Sequence, residues 1–294
     1  MWLRAKILHS IRKFFAGDGY LEIETPHLIP APAPEAHIDA FCAGHWYLHT
    51  SPELCMKRLL SASYSKIFQI CRVFRQGERG DRHLPEFTLL EWYRTGSDYL
   101  DLMDECEEMI CTVADELGFR NQFEYQGYKI DIKRPWLRLS VQEAFERYAS
   151  LSMKEACELG RFDEVVVGEI EPCLGLKRPV YLYDYPTSLA SLARIKVDEP
   201  GLSERFELYL GGLEIANAFS ELTEAQEQEA RFEAEQKRRQ GLGKECYPMP
   251  ERFLEALSRM PAAAGIALGL DRLIMIFCNR ARIEDVVSFT PEEL

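Results

Sequence analysis

The feature that most constrains this sequence is a segment in its last third, where two runs of alternating polarity flank a pair of glycines. Gly211 and Gly212 tolerate the positive φ of a tight turn, so the segment predicts a hairpin with a two-residue loop. In that register Tyr209 faces Glu214, and Glu207 lies on the same face as Tyr209. The two carboxylates repel each other unless a cation lies between them, and such oxygen ligands suit Mg²⁺. The alternative is a solvated sheet face with two unrelated acids.

The composition is typical of a globular protein and restricts the classes of function. The 294 residues are 47% hydrophobic and carry a formal charge of −13, which disfavours a broad nucleic-acid-binding surface because such surfaces are usually basic. Apolar runs are too short for a transmembrane helix, and the amphipathic N-terminus is unlike a signal peptide, so we expect no membrane partner. The nine cysteines are odd in number and lack a CxxC pair, which predicts free thiols in a reducing cytoplasm.

Hydrophobic periodicity and turn residues divide the chain into helices and short strands. A Pro/Ala-rich loop at 28–35 is long enough to cover a site, and a long polar loop at 75–83 separates two strand-like runs. The region 151–200 is mixed and gives no clear prediction. The predicted helices cover residues 2–16, a segment opened by Ser51, 98–117, 140–148, 223–239 and the apolar run after 272. The predicted strands cover residues 20–25, 46–50, 66–74, 86–93 and 265–269.

Two arginines lie where a polyphosphate could bind. Arg75 is at the start of the long polar loop. Arg272 is at the N-terminus of the apolar helix, where backbone N–H groups and the helix dipole favour an anion. The sequence contains no GxxxxGK[ST] and no GxGxxG that opens a helix after a strand, so neither of these glycine-rich phosphate loops is present. We therefore predict that a polyphosphate is bound by arginines and by Mg²⁺ held on a carboxylate pair. These groups would lie on a mostly antiparallel sheet.

In these features the chain resembles the class II aminoacyl-tRNA synthetases over essentially its whole length. The first helix and the strand that ends at Pro26 resemble motif 1, residues 74–87 resemble motif 2, and residues 265–272 resemble motif 3. Within the class, TSPE at 50–53, PEFTLLEWY at 85–93 and LEIANAFSEL after the glycine pair match lysyl-tRNA synthetases. The resemblance implies an α+β fold, with a mainly antiparallel sheet flanked by helices, and a homodimer formed through motif 1.

Two departures from lysyl-tRNA synthetases indicate a narrower family. The sequence begins at the motif 1 helix, without the anticodon-binding OB domain, so we expect residues 1–294 to form one catalytic domain. Ala267 stands where lysyl-tRNA synthetases have glycine. Both features, and the length, are similar to those of elongation factor P (R)-β-lysine ligases. This resemblance implies that ATP activates (R)-β-lysine, or lysine, as an adenylate, that a lysine side chain of elongation factor P accepts it, and that no tRNA takes part.

The resemblance also implies roles for the residues that would bind ATP. Arg75 would bind the α-phosphate region and stabilise charge at the reacting phosphorus. Arg272, with Arg82 and His83, would hold the outer phosphates while pyrophosphate leaves, and Phe87 would stack on adenine. Mg²⁺ would lie between the phosphates and the acid pair of the hairpin. The substrate carboxylate itself attacks, so positioning and electrostatics supply the rate and the protein needs no nucleophile.

A second group of residues would bind the amino acid. Glu221 and Tyr93 would bind its side-chain amine, and a buried carboxylate that faces an ammonium group selects against neutral side chains. Glu53 would receive the other amino group, and Asn217 would lie in the same pocket. The methyl group of Ala267 would crowd the α-amino position and favour a substrate whose amine is one carbon further along.

This assignment requires a distortion of the strand after the glycine pair. Regular alternation turns Asn217 and Glu221 away from Glu214, so we predict a bulge or a twist near residues 216–219. Motif 2 also departs from the usual pattern, because its acid, Glu78, is one place later. Two other functions remain open. One is lysine-specific tRNA aminoacylation by a truncated synthetase with a separate tRNA-binding partner, and the other is a catalytically inactive, synthetase-like regulatory subunit.

Overall fold

The computed structural model describes residues 1–294 and is built on one eight-stranded sheet. The strands are β1 (Leu21–Glu22), β2 (Leu28–Ile29), β3 (Cys42–Ala43), β4 (Trp46–Leu48), β5 (Lys66–Phe74), β6 (Glu86–Thr95), β7 (Gln122–Tyr125), β8 (Tyr128–Asp131), β9 (Leu137–Ser140), β10 (Val180–Pro186), β11 (Leu202–Leu210), β12 (Leu213–Ser220) and β13 (Ala263–Gly269). The helices are α1 (Trp2–Gly17), α2 (Glu53–Ser61), α3 (Tyr99–Glu116), α4 (Val141–Tyr148), α5 (Met153–Glu158), α6 (Phe162–Val165), α7 (Ala225–Gly241), α8 (Glu251–Leu257) and α9 (Leu270–Phe277).

In the large sheet the strands follow the order β1-β5-β6-β13-β12-β11-β10-β9. β1 runs parallel to β5 and β9 runs parallel to β10, whereas all other neighbours are antiparallel. The predicted α+β fold with a mainly antiparallel sheet is therefore confirmed. A three-stranded sheet, β2-β4-β3, and the hairpin β7-β8 are separate from it. None of the helices combines the length and the apolar character needed to cross a lipid bilayer.

One face of the large sheet carries the main hydrophobic core. On this face the ring of Phe15 in α1 stacks on Phe68 with centroids 4.8 Å apart and lies 5.1 Å from Trp92. Residues of α1, α3 and α9 belong to the same buried cluster. Successive side chains of a strand point to opposite faces, so the neighbours of these core residues point the other way. The opposite face carries polar residues such as Glu91 and Asn217, and it holds the candidate site.

The hairpin predicted around the glycine pair is confirmed in its register. Tyr209 pairs with Glu214 on β11 and β12, and both glycines have positive φ, +62° at Gly211 and +74° at Gly212. The register then shifts, which leaves Ile215 as an extra residue. This is the predicted β-bulge, one residue before the expected segment. Without it Glu214 would point into the core, so the bulge returns this carboxylate to the face that carries the site.

Several predicted boundaries differ from those in the structure. The strand predicted over 20–25 has only two residues, Leu21–Glu22, although the Ile23 N–H still donates a hydrogen bond to the Phe68 carbonyl at 2.9 Å. Helix α2 begins at Glu53, one residue later than Pro52, although the Ser51 hydroxyl accepts a hydrogen bond from the Glu53 N–H at 3.0 Å. The region that gave no prediction contains α5, α6 and β10, whose residues form a separate cluster with α4.

Candidate active site

A cavity of about 390 Å³ opens on the polar face of the large sheet, a volume typical of small-molecule sites. All of the predicted site residues line it except Glu207 and Glu221. The Pro/Ala-rich loop predicted to cover a site contributes Glu35 to the lining. Arg239 of α7 anchors that loop by donating hydrogen bonds to the carbonyl groups of Glu35 and Ile38, at 2.7 and 2.9 Å.

On the face that holds the cavity, a row of directly paired residues crosses five strands, and its three central members line the cavity. From β5 to β11 the row reads Gln69, Glu91, Ala267, Asn217 and Glu207. These side chains lie on one face because each pair is in register across the sheet. The methyl group of Ala267 is therefore flanked by the carboxyl group of Glu91 on one side and the amide of Asn217 on the other.

A cationic cluster lies at the end of the cavity where α9 begins. The Arg272 guanidinium donates a hydrogen bond to the Glu214 carbonyl at 2.8 Å, and one of its nitrogens lies 2.6 Å from Nε2 of His83. Arg272 also reaches the backbone carbonyl of Arg82 at 3.4 Å. Burial, followed by the neighbouring Arg272 charge, lowers the pKa of His83. The structure therefore brings together the three residues predicted to hold the outer phosphates.

Arg75 and Phe87 lie next to each other at the base of the motif 2 loop. The Arg75 guanidinium is 5.1 Å from the centre of the Phe87 ring, and its Nε donates to the Thr50 carbonyl at 3.3 Å. Its ion pair with Glu78 is loose, at 3.7 Å. Arg75 therefore has only weak partners in this structure, which leaves its guanidinium available for an anion in the cavity.

The predicted metal ligands are less exposed to the cavity than expected. Both Glu207 oxygens have partners, with Arg205 at 2.7 Å and the Tyr209 hydroxyl at 2.7 Å. Glu214 has a cation 3.4 Å away, in Arg272, and burial together with the nearby Glu207 raises its pKa. No group of three or more His, Cys, Asp or Glu residues is arranged to hold a metal ion. Glu214 fits a ligand of Mg²⁺ that is bound mainly by phosphates, whereas Glu207 would first have to leave Arg205.

The predicted amine ligands meet around a buried lysine that the sequence analysis did not identify. Nζ of Lys57 contacts the carboxylate of Glu221 and lies 2.6 Å from Oε1 of Glu53. Lys57 and Glu221 are almost fully buried. Burial lowers the pKa of Lys57, but Glu221 and Glu53 outweigh it and raise the pKa overall. We expected Glu221 to face an open pocket. In the structure it does not, because it already has the ammonium group of Lys57 as a partner.

Tyr93 lies beside these residues and is hydrogen-bonded to a further acid. Its hydroxyl donates to Glu91 at 2.8 Å, and the Ser51 hydroxyl donates to the other oxygen of Glu91 at 2.6 Å. Burial, and then the Glu53 charge, raises the pKa of Glu91 to about 8. Gly265 is required here, because a Cβ at this position would lie only 2.2 Å from the Tyr93 ring. Glycine at this position therefore leaves the space that the Tyr93 ring and the Glu221 carboxylate occupy.

Comparison with known proteins agrees with this geometry. Residues 1–293 match the family model described as tRNA synthetases class II (D, K and N). The chain is 40% identical to an elongation factor P–(R)-β-lysine ligase from Mannheimia succiniciproducens, and the match covers 98% of this chain and 94% of the relative. Proteins of the same name from Salmonella arizonae and Salmonella dublin are 38% and 37% identical to this chain. Each match covers 98% of this chain and 93% of the relative. The chain belongs to the elongation factor P–(R)-β-lysine ligase family of class II tRNA synthetases. It is accordingly an ATP-dependent ligase.

Membership of this family accounts for the motifs, but four residues of the site were not predicted from the sequence: Glu35, Lys57, Glu91 and Arg205. Lys57 follows Glu53 by four residues, a spacing that places both on one helix face and could have identified the pair. Arg205, two residues before Glu207, donates to the Asn217 side chain at 3.2 Å. Glu35 is the one carboxyl group in the cavity lining without a side-chain partner, and burial raises its pKa to about 7 although Arg75 opposes this.

Proposed function

We propose that this protein activates (R)-β-lysine with ATP to an adenylate and transfers it to a lysine side chain of elongation factor P. The observation that carries the proposal is the near full-length similarity to relatives of that name. It is supported by the cavity, whose two ends differ in charge. Arg75 and Arg272 supply cations at the phosphate end, and Glu53, Glu91 and Glu221 supply acids at the amine end. A substrate with a carboxylate and two amines matches this polarity.

In the activation step a carboxylate oxygen of β-lysine attacks the α-phosphorus of ATP. The new P–O bond forms as the bond to pyrophosphate breaks, and Arg75 stabilises the charge that develops on the phosphoryl oxygens. Arg272 and His83 hold the leaving pyrophosphate in line with the attack. In the free protein, burial and the Arg272 charge lower the pKa of His83. When bound, Mg²⁺ would neutralise phosphate charge, with Glu214 as its first protein ligand and Glu207 as a second.

In the transfer step the uncharged ε-amino group of the acceptor lysine attacks the carbonyl carbon of the adenylate. An amide bond forms, AMP leaves with the electrons of the broken C–O bond, and the amine releases a proton. The protein contributes position rather than a covalent intermediate. We propose that Tyr93 contacts the side-chain ammonium of β-lysine and that Glu221, buried behind the cavity lining, attracts this ammonium through its charge. Glu53 and Asn217 would face the rest of the amino acid, and Phe87 would support adenine.

Replacement of Ala267 by glycine should relax the selection for the β-amine. Removal of the methyl group between Glu91 and Asn217 opens space for an amine one carbon closer to the carboxylate. One methyl group is worth about 1–3 kcal/mol, so we expect kcat/KM for α-lysine to rise about 10- to 100-fold relative to (R)-β-lysine. ATP–pyrophosphate exchange with both amino acids measures this ratio. Equal use of α-lysine by the wild type and the variant would reject the proposed role of Ala267.

Pyrophosphate exchange with α-lysine and both enantiomers of β-lysine also tests the proposed function itself. We expect (R)-β-lysine to give the highest kcat/KM and amino acids without a side-chain amine to give little exchange. The phosphate-binding arginines argue against an inactive regulatory subunit, because such a protein has no need of them. Absence of exchange with every lysine isomer would refute the proposal and favour that alternative.

We also propose that the protein acts as a homodimer in the cytoplasm, with residues 1–294 as one catalytic unit and without tRNA. Free thiols at all nine cysteines are consistent with a reducing compartment. Motif 1, which includes α1, would form the two-fold interface, and Trp2 on this helix is 88% exposed in the single chain. Light scattering at micromolar concentration should therefore give a mass near twice 34.0 kDa. A monomer under these conditions would contradict the dimer.

A further inference from the structure

The amine end of the cavity contains more acids than its own cation can neutralise. Glu53, Glu91 and Glu221 lie close enough for each charge to affect the others. Lys57 is the cation among them, and it contacts Glu53 and Glu221 directly. Glu91 has only the hydroxyl groups of Tyr93 and Ser51 as partners. Burial raises the pKa of Glu91 and of Glu221 to about 8, so all three acids are ionised together only when a ligand brings further positive charge. In that state the cluster itself has one positive and three negative charges, which leaves two negative charges for the ligand to match.

Lys57 is held in this position by its surroundings. It lies on α2 one turn after Glu53 and is 1% exposed, and its Nζ lies 4.9 Å from the centre of the Phe219 ring. Phe219 and Asn217 are on the same face of β12, so the lysine lies under the amino-acid end of the cavity. An ammonium group buried this completely persists only with carboxylate partners, and the carboxylates likewise need the ammonium.

We propose that Lys57 is a specificity-determining residue, which sets the charge of the amine pocket so that it accepts a substrate with two ammonium groups. This inference rests on the proposed function. The two ammonium groups of β-lysine and that of Lys57 together balance the three ionised acids. The substrate carboxylate is not part of this count, because it lies toward Arg75 at the phosphate end of the cavity. If Lys57 is replaced by an uncharged residue, one acid remains without a counter-charge when the substrate is bound. Burial then makes that acid take up a proton. Glu221 has the lowest exposure of the three, so it is the acid expected to lose its charge.

The test is the substitution Lys57→Met, which keeps the length of the side chain and removes its charge. Pyrophosphate exchange is measured with (R)-β-lysine and with 3-aminohexanoate, which lacks the side-chain amine. We expect the preference for β-lysine to fall at least about tenfold, mainly through a higher KM for β-lysine and with a smaller change in kcat. Lys13→Met, which removes an exposed lysine paired with Glu116, is the control and should keep the wild-type preference.

A second variant keeps the test valid if Lys57→Met does not fold. The double substitution Lys57→Met with Glu221→Gln removes one charge of each sign, so it should fold and still lose the preference for β-lysine. A folded variant of either kind with an unchanged ratio of KM values would overturn the role of Lys57. An equal loss with β-lysine and with 3-aminohexanoate would also overturn it, because that result indicates only structural damage. Wild-type protein that uses no lysine isomer would instead refute the proposed function.

Discussion

Replacement of Arg75 by alanine should lower kcat for pyrophosphate exchange by about 100- to 1,000-fold, as expected when a donor to transition-state charge is removed. Arg75 lines the cavity together with Glu53 and Glu91, and its guanidinium lies 5.1 Å from the centre of the Phe87 ring. Its partners in the free protein are weak, at 3.3 Å or more, so little of its interaction energy is used before the substrates bind. The loss should therefore appear in kcat more than in KM for ATP.

The chain provides a matched control for this variant. Arg72 lies three residues earlier on β5, is exposed, and forms a loose ion pair with Glu86 at 3.6 Å. Arg72→Ala should change kcat for exchange less than twofold, since exposed ion pairs contribute about 0–1 kcal/mol and this one lies outside the cavity. Similar losses in the two variants would show that net charge, rather than the position of Arg75, accounts for the effect.

The second large effect concerns stability rather than catalysis. Arg4→Met should lower the free energy of unfolding by about 3–5 kcal/mol, because it leaves the buried carboxylate of Asp271 without its cation. Asp271 accepts hydrogen bonds from Arg4 at 2.5 Å and from the Thr88 N–H at 2.7 Å. These contacts join α1 and β6 to the start of α9. Because Asp271 precedes Arg272, we also expect a lower rate of pyrophosphate exchange in the part of the sample that remains folded.

Urea denaturation followed by circular dichroism measures the change, with Arg12→Met as the control. Arg12 lies on the same helix and pairs with Glu22 at 2.8 Å, but both side chains are exposed. Its loss should cost less than about 1 kcal/mol. If Arg4→Met is no less stable than Arg12→Met, the ion pair of Arg4 with Asp271 is not a source of stability.

The sequence was sufficient to predict those parts of the fold that local rules determine. The glycine pair fixed the register of β11 and β12, since positive φ at both central residues leaves few alternatives to a two-residue turn. The limits of β5 were correct to the residue, and a capping box at Ser140 marked the start of α4. The 151–200 region gave no prediction because its α-helices have only six and four residues, and because β10 pairs with strands outside the region, β9 and β11.

Only the site residues that belong to sequence motifs could be predicted. Residues that act through a motif, such as Arg75 and Arg272, could be named from the resemblance, and the cavity contains both. The pairing of Lys57 with Glu221 joins positions 164 residues apart (221 − 57), and no local pattern records it. Glu35 reaches the cavity only because Arg239, some 200 residues later, holds its loop. Such contacts depend on how the sheet brings distant segments together. The hydrophobic periodicity of the sequence does not show which segments become neighbours.

The most direct test of the proposed function is a competition between acceptors. The purified protein is incubated with ATP, Mg²⁺ and labelled (R)-β-lysine in the presence of equimolar elongation factor P and lysine tRNA, and a parallel reaction contains labelled α-lysine. We expect the label to appear on elongation factor P, at a single lysine by mass spectrometry, with (R)-β-lysine preferred and the tRNA unlabelled. Label on the tRNA, with elongation factor P unmodified, would contradict the proposal and identify the chain as a tRNA-charging synthetase.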